Sequence, residues 1–139
     1  MKTRPYITFS GNCAEAIELY KRAFKTETIQ VMRFSDLPPN PDFPIPADFK
    51  GQILQASLKM GDDFIRMSDC GPGRPLNDPE SERLSIALEA DVDTVKAAFP
   101  VLAEEGRVGM PLCEAFYSPC TGVVFDRFGV MWNLVANKE

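Results

Sequence analysis

Apolar positions recur along this chain in two rhythms, and the order of the rhythms is repeated. PYITFS (5–10) is a short β-prone run, after which Cys13, Ala16, Ile17, Tyr20 and Phe24 fall three and four apart, the stripe of an amphipathic helix over 11–25. Asn12 followed by Glu15 has the spacing of a capping box at its start. Three strand-like runs come next, ETIQVMRF (27–34), QILQASLKM (52–60) and DDFIRMSDC (62–70), with the last two predicted to form a hairpin across Gly61 and Asp62. The first half reads β-α-β-β-β.

The second half repeats that order. Leu84, Ile86 and Leu88 alternate with Ser85, Ala87 and Glu89, which predicts a half-buried strand over 83–90. Val92, Val95, Phe99 and Leu102 then make a helical stripe, each 79 positions after Cys13, Ala16, Tyr20 and Ala23. A repeated spacing of this kind implies two copies of one supersecondary unit. Pro100 is expected to kink or shorten the second helix. RVGMPLC (107–113), YSPCTGVVFD (117–126) and a last strand over Val130–Val135, entered through a turn framed by Asp126 and Gly129, complete the set.

Each module buries one sheet face under its helix and must do something with the other. The expected fold class is α+β, two βαβββ modules forming a curved mixed sheet around a cleft that is the functional site. The expected organisation is a single domain over 1–139, with module 1 at about 5–70, a linker at 71–82 and module 2 at about 83–135. Inside module 1, DLPPNPDFPIPADF (36–49) is a proline-rich excursion whose Leu37, Phe43, Ile45 and Phe49 are too apolar for a free loop. It is expected to dock at the cleft mouth, as a lid, or on a partner subunit.

Composition narrows the partners. The 139 residues are 45% hydrophobic, enough for a sizeable core, and carry 15 basic against 20 acidic side chains, net −5, with no basic stripe. Nucleic acid and anionic membranes are therefore poor partners. No apolar run approaches a membrane span and MKTRPYITF enters a strand directly, so a soluble, cytoplasmic protein is expected. Cys13 sits on the first helical stripe and reads as core, whereas the spacing of seven between Cys113 and Cys120 suits either a pair facing across a turn or a contribution to a metal site. With Cys70 they form no C-x-x-C pair and the chain has no histidine, so free thiols are expected rather than a structural metal site. The missing histidine also removes any Ser-His or Cys-His couple, and GPGRP lacks the helix-opening context of a phosphate loop.

A few polar residues interrupt apolar strands. Arg66, inside FIRMS, requires a carboxylate, an aromatic face or an anion. The plainer account is an internal pair with Glu114, Glu89 or Asp69; the sharper one is an anchor for a ligand carboxylate or phosphate. Glu114, Phe116 and Tyr117 put aromatics beside a carboxylate near a turn, either strand packing or a grip on a planar ligand. Gln55 is a solvated strand residue or a hydrogen-bonding group of the cleft. Asn133 is an amide among Met131, Trp132, Leu134 and Val135.

YITFSGNCAEAIELYKRAF, QASLKMGDDFIRMSD and GRVGMPLCEAFYSPCTGVVFDRFGVMWNL, in this duplicated order, resemble the PhnB-like branch of the vicinal oxygen chelate superfamily, which includes glyoxalase I, extradiol dioxygenases and bleomycin-resistance proteins. The resemblance covers nearly the whole chain, and DRFGV followed by Trp132 is its most specific piece. It implies paired βαβββ modules, commonly assembled as a homodimer. Catalytic members hold a divalent metal on four cleft-facing side chains, typically His, Glu or Gln, and the metal polarises substrate oxygens. A glyoxalase-type pattern laid on this chain puts those places at Pro5, Arg66, Ser85 and Asn133, which is no coordination sphere. The branch often has a histidine where this chain has Gln55. The chain also lacks the glycine-rich turn and the length that a methyltransferase, a name given to some PhnB-like proteins, normally needs.

The expectation is therefore a metal-independent small-molecule binding protein without cofactor, its site built from Gln55, Arg66, Ser85, Glu114, Phe116, Tyr117 and Asn133, with an anionic ligand favoured. The alternative is a glyoxalase-related lyase or dioxygenase-type enzyme, using an unorthodox metal site with ligands such as Glu114 and Asp69, or Glu114 as base.

Overall fold

The computed structural model describes residues 2, 4–72 and 84–137. Its elements follow the expected order: β1 (Tyr6–Phe9), α1 (Cys13–Phe24), β2 (Thr28–Arg33), β3 (Ile53–Met60) and β4 (Asp63–Asp69), then β5 (Ile86–Ala90), α2 (Val92–Leu102), β6 (Arg107–Ala115), β7 (Ser118–Phe125) and β8 (Met131–Ala136). The strands form two four-stranded sheets, ordered β1-β4-β3-β2 and β5-β8-β7-β6. In each, one parallel pair, β1 with β4 and β5 with β8, joins two antiparallel pairs. The chain divides into two compact units, one holding each sheet, and Arg22–Lys25 at the end of α1 belong with the second. Most of the expected linker, residues 73–82, lies outside the described residues, as does residue 83. Among those described, no helix is long and apolar enough to cross a membrane.

In the first unit, Phe9, Ile53, Ala56, Leu58, Ile65 and Met67 are buried on the sheet, and Cys13, Ala16, Ile17 and Tyr20 are buried along α1. The helix is started by a residue from the far end of the module. Asp69 Oδ1 accepts from the amides of Gly11 (2.9 Å) and Cys13 (3.0 Å), and Oδ2 accepts from the Ile53 amide at 2.9 Å. A carboxylate satisfying amides at a helix start also complements the helix dipole. Asp69 is thus a structural clamp, with its two oxygens turned to the amides of Gly11, Cys13 and Ile53 and away from Arg66.

In the second unit, Val95, Ala98, Phe99 and Leu102 of α2 are buried, as are Val124, Trp132, Leu134 and Ala136. Asp91 caps α2 by accepting from the Thr94 amide at 2.8 Å. Pro100 lies in the last turn, and the helix ends two residues later. Leu84, expected to face inward, is 86% exposed because β5 begins only at Ile86. Cys113 and Cys120 do not face each other: Cys113 pairs with Thr121 and is exposed, whereas Cys120 is buried. All four cysteines are free thiols.

The DRFGVMW segment is a side-chain-organised turn. Asp126 Oδ1 accepts from the amides of Phe128 (2.9 Å) and Val130 (3.0 Å), and Oδ2 accepts from the indole of Trp132 at 2.9 Å. Gly129 supplies the positive φ of 86° that closes the turn.

Candidate functional site

Strand pleating assigns the residues opposite each buried set to a second face. On the first sheet, Tyr6 stands beside Arg66, Arg66 beside Ser57 and Ser57 beside Gln30, a row across all four strands. The neighbouring row holds Thr8 beside Ser68, and Gln55 beside Met32. Cross-strand neighbours of this kind have Cβ atoms about 5 Å apart. Ser57 and Ser68 on the central strands are buried, Gln55 and Arg66 half-buried, and Tyr6, Thr8 and Gln30 exposed, so access rises from the middle of the sheet to its edges. Gln55 and Arg66 are therefore brought onto one face of the first sheet.

Arg66 sits on the side away from Ile65 and Met67. Its guanidinium carbon lies 5.3 Å from the centroid of Phe64, and Arg4 lies over the same ring at 4.0 Å. Arg4 also pairs with Asp63 at 3.4 Å. Among the described residues no carboxylate pairs with Arg66, and Asp69, one of its expected partners, is engaged on the opposite face.

The second sheet presents a different face. Asn133 stands between Ala87 and Val123, pointing away from the buried Trp132 and Leu134. Its Nδ2 donates to Ser85 Oγ at 2.8 Å. Two expected site residues are thus joined, and Asn133 ties β8 to the residue just before β5. The surrounding positions, Ala87, Val123, Met131 and Val135, are apolar.

Phe116 and Tyr117 form the two-residue tip between β6 and β7, with rings edge to face at 5.1 Å; Phe116 is 90% exposed. Asn133 pairs with Val123, six residues along β7 from Tyr117, about 20 Å at the usual strand rise. The structure therefore separates the Glu114–Phe116–Tyr117 group from Ser85 and Asn133. The excursion over 36–49 is tied at its neck by backbone bonds from Phe34 to Gln52 (3.1 Å) and Ser35 to Lys50 (2.9 Å). With Phe34 and Lys50 it lines an open groove of about 1070 Å³ walled by Leu37, Phe43, Ile45 and prolines.

The metal pattern is shifted by one residue where it meets β1. Pro5 gives only its backbone carbonyl to the Arg66 amide (3.0 Å), and Tyr6 is the residue beside Arg66. Parallel pairing advances the facing partner by one position, which the sequence pattern alone does not reveal. With Tyr6 in place of Pro5, the set is still a phenol, a guanidinium, a hydroxyl and an amide, donors that do not suit a divalent cation. Among the described residues no three His, Cys, Asp or Glu side chains cluster as metal ligands.

Sequence and structure comparisons agree with this architecture. The curated protein YjdN of Escherichia coli is 28% identical to the whole chain, with 97% of YjdN covered. The crystal structure of Pseudomonas aeruginosa PA1353 is 32% identical with a TM-score of 0.85, covering 100% of this chain and 99% of that one. A Bacillus cereus PhnB protein, described as a putative 3-demethylubiquinone-9 3-methyltransferase, has a TM-score of 0.75 at 20% identity, covering 98% and 99%. No family model matches the chain. The duplicated βαβββ order with its two mixed sheets is the fold these solved structures share with this chain, the fold expected from the resemblance to the vicinal oxygen chelate proteins.

Proposed function

We propose that this protein is a metal-independent small-molecule binding protein, acting as a homodimer in the cytoplasm. The observation that carries the reading is Arg66, a half-buried guanidinium without an internal carboxylate partner among the described residues. It stands with Tyr6, Ser57 and Gln55 on a polar face where catalytic relatives would need metal ligands. A fixed cation there repels a metal and attracts an anionic ligand. The four free thiols fit a reducing compartment. The apolar groove of the proline-rich excursion, with Phe43 74% exposed, is the surface the homodimer would cover. Glu114 is an exposed residue of β6, one position before the end of that strand and next to the Phe116–Tyr117 tip. The sequence holds no glycine-rich nucleotide turn of the kind that the methyltransferase chemistry named for the B. cereus protein would call for.

Three measurements on the purified protein test this. Metal analysis is expected to find well under one divalent ion per chain, and added Mn(II), Ni(II) or Zn(II) to leave the melting temperature unchanged. Light scattering is expected to give twice the 15.5 kDa chain mass. A metal ratio near one overturns the first part, and the monomer mass at micromolar concentration overturns the second.

A further inference from the structure

The polar face of the first sheet has a charge count as well as a shape. We infer that it takes a small hydroxylated monocarboxylate, with the guanidinium of Arg66 supplying the fixed positive charge; this rests on the metal-independent reading above. Two arginines approach this face, but only one has charge to spare. Arg4 is matched by Asp63 at 3.4 Å and stacked on Phe64 at 4.0 Å. Arg66 touches the same ring more loosely, at 5.3 Å, and has no ion-pair partner among the described residues. Its planar fork matches the two oxygens of a carboxylate. A dianion would bring one more negative charge than the face can match, next to the buried Ser57 and Ser68.

The neutral groups set the rest of the ligand. Tyr6 and Ser57 flank Arg66 directly, and Thr8, Ser68 and Gln55 form the next row. Hydroxyls and amides both donate and accept, so they satisfy the hydroxyl groups of a ligand in either sense. No hydrogen bond within the described residues engages the Ser57 or Ser68 side chain. A hydrocarbon chain laid over them would strip their water and return nothing. The face therefore selects hydroxyl groups next to a carboxylate, which a hydrophobic acid lacks.

Calorimetric titration of the full chain, treated with chelator, tests this with D-gluconate and L-lactate as hydroxylated monocarboxylates. Butyrate keeps the charge without the hydroxyl, glycerol keeps hydroxyls without the charge, and inorganic phosphate adds charge. Gluconate or lactate is expected to bind at least about tenfold more tightly than butyrate, glycerol or phosphate, which corresponds to about 1.4 kcal/mol. Arg66→Met is expected to weaken that binding about tenfold or more at an unchanged melting temperature. Arg66→Lys, which keeps the charge but loses the fork, should fall between, and it carries the test if Arg66→Met does not fold. Ser57→Ala with Ser68→Ala is expected to erase the preference over butyrate. No binding of either hydroxy acid at millimolar concentration, equal binding of butyrate or phosphate, or indifference to both Arg66 variants overturns the inference. Tight, Arg66-dependent binding of butyrate or phosphate would overturn it while leaving the metal-independent site standing; binding that requires added Mn(II) would overturn both.

Discussion

Asp126 and Trp132 are bonded side chain to side chain in the buried turn of the second sheet: Oδ2 accepts from the indole Nε1 at 2.9 Å, with Asp126 4% and Trp132 0% exposed. The same carboxylate holds the amides of Phe128 and Val130, and the Trp132 ring lies 5.1 Å from Phe24. The segment that carries the most specific part of the resemblance is therefore held together by its own side chains as a structural turn. Trp132→Phe should leave a buried carboxylate oxygen short of a donor and cost about 1–3 kcal/mol. Asp126→Ala should cost more, since it frees two amides as well. A double-mutant cycle by urea denaturation should return a positive coupling energy; additive effects would refute the pairing.

Cys13 gives a pH dependence of definite sign. Burial first, then the neighbouring Asp69 carboxylate, push its thiol up from 9.0 to about 12, with Arg33 acting the other way. The folded state thus keeps the proton after the unfolded chain has lost it. This contribution to stability is complete below pH 9 and is lost as the pH rises from about 9 towards 12. Denaturation at pH 7 and pH 10 should show a drop that is smaller in Cys13→Ala. A thiol reagent at neutral pH should label the exposed Cys113 and spare Cys13 until the protein unfolds.

On the acid side two surface carboxylates act in the opposite direction. Asp91 is held below the usual carboxylate value by its hydrogen bonds with Thr94, and Glu104 by its hydrogen bond and charge pairing with Arg22. Folded values that are depressed add stability above the unfolded value and lose it as the pH falls through the folded one. Below the ordinary carboxylate range the melting temperature should therefore decline. Asp91→Asn, which keeps a capping oxygen, should flatten part of that decline, and a pH series of thermal melts reads it directly.

The aromatic tip makes a negative control. Phe116→Ser should leave the melting temperature within error, because its ring is 90% exposed, and should leave binding at the Arg66 face unaltered. Loss of ligand affinity in that variant, measured by calorimetry, would mean that the tip reaches the ligand.

The duplicated skeleton was legible because periodicity survives in the covered halves. Val95, Phe99 and Leu102 repeat Ala16, Tyr20 and Ala23 after 79 residues, and all are buried. The partners of side-chain carboxylates are less legible. Asp69 looked like an ion-pair partner for its neighbour Arg66, yet its hydrogen bonds run to Gly11 and Cys13, more than fifty residues away, and no local pattern encodes that. Asp126 could have been found, since an aspartate that accepts from amides two and four residues on is ordinary turn chemistry. Gln55 and Arg66 fell on one face because alternation survives in antiparallel strands, whereas Pro5 was off by one because the offset of a parallel pair is invisible in sequence. Phe116 and Tyr117 were legible as a turn between strands, while the distance along β7 from that tip to Val123, the partner of Asn133, depends on where the hairpin strands begin and end.

The Asp69 clamp bears on the order in which the chain organises itself. Its donors come from residues 11, 13 and 53, so the first turn of α1 cannot acquire its full set of bonds while the helix is still a local segment. That turn must wait for β4 to be laid beside β1, a closure of more than fifty residues with its entropic cost. The start of the second helix, capped by Asp91 three residues from its donor, waits for nothing. In a refolding experiment α2 is therefore the helix positioned to form early, and α1 the one whose completion reports that its sheet has already assembled.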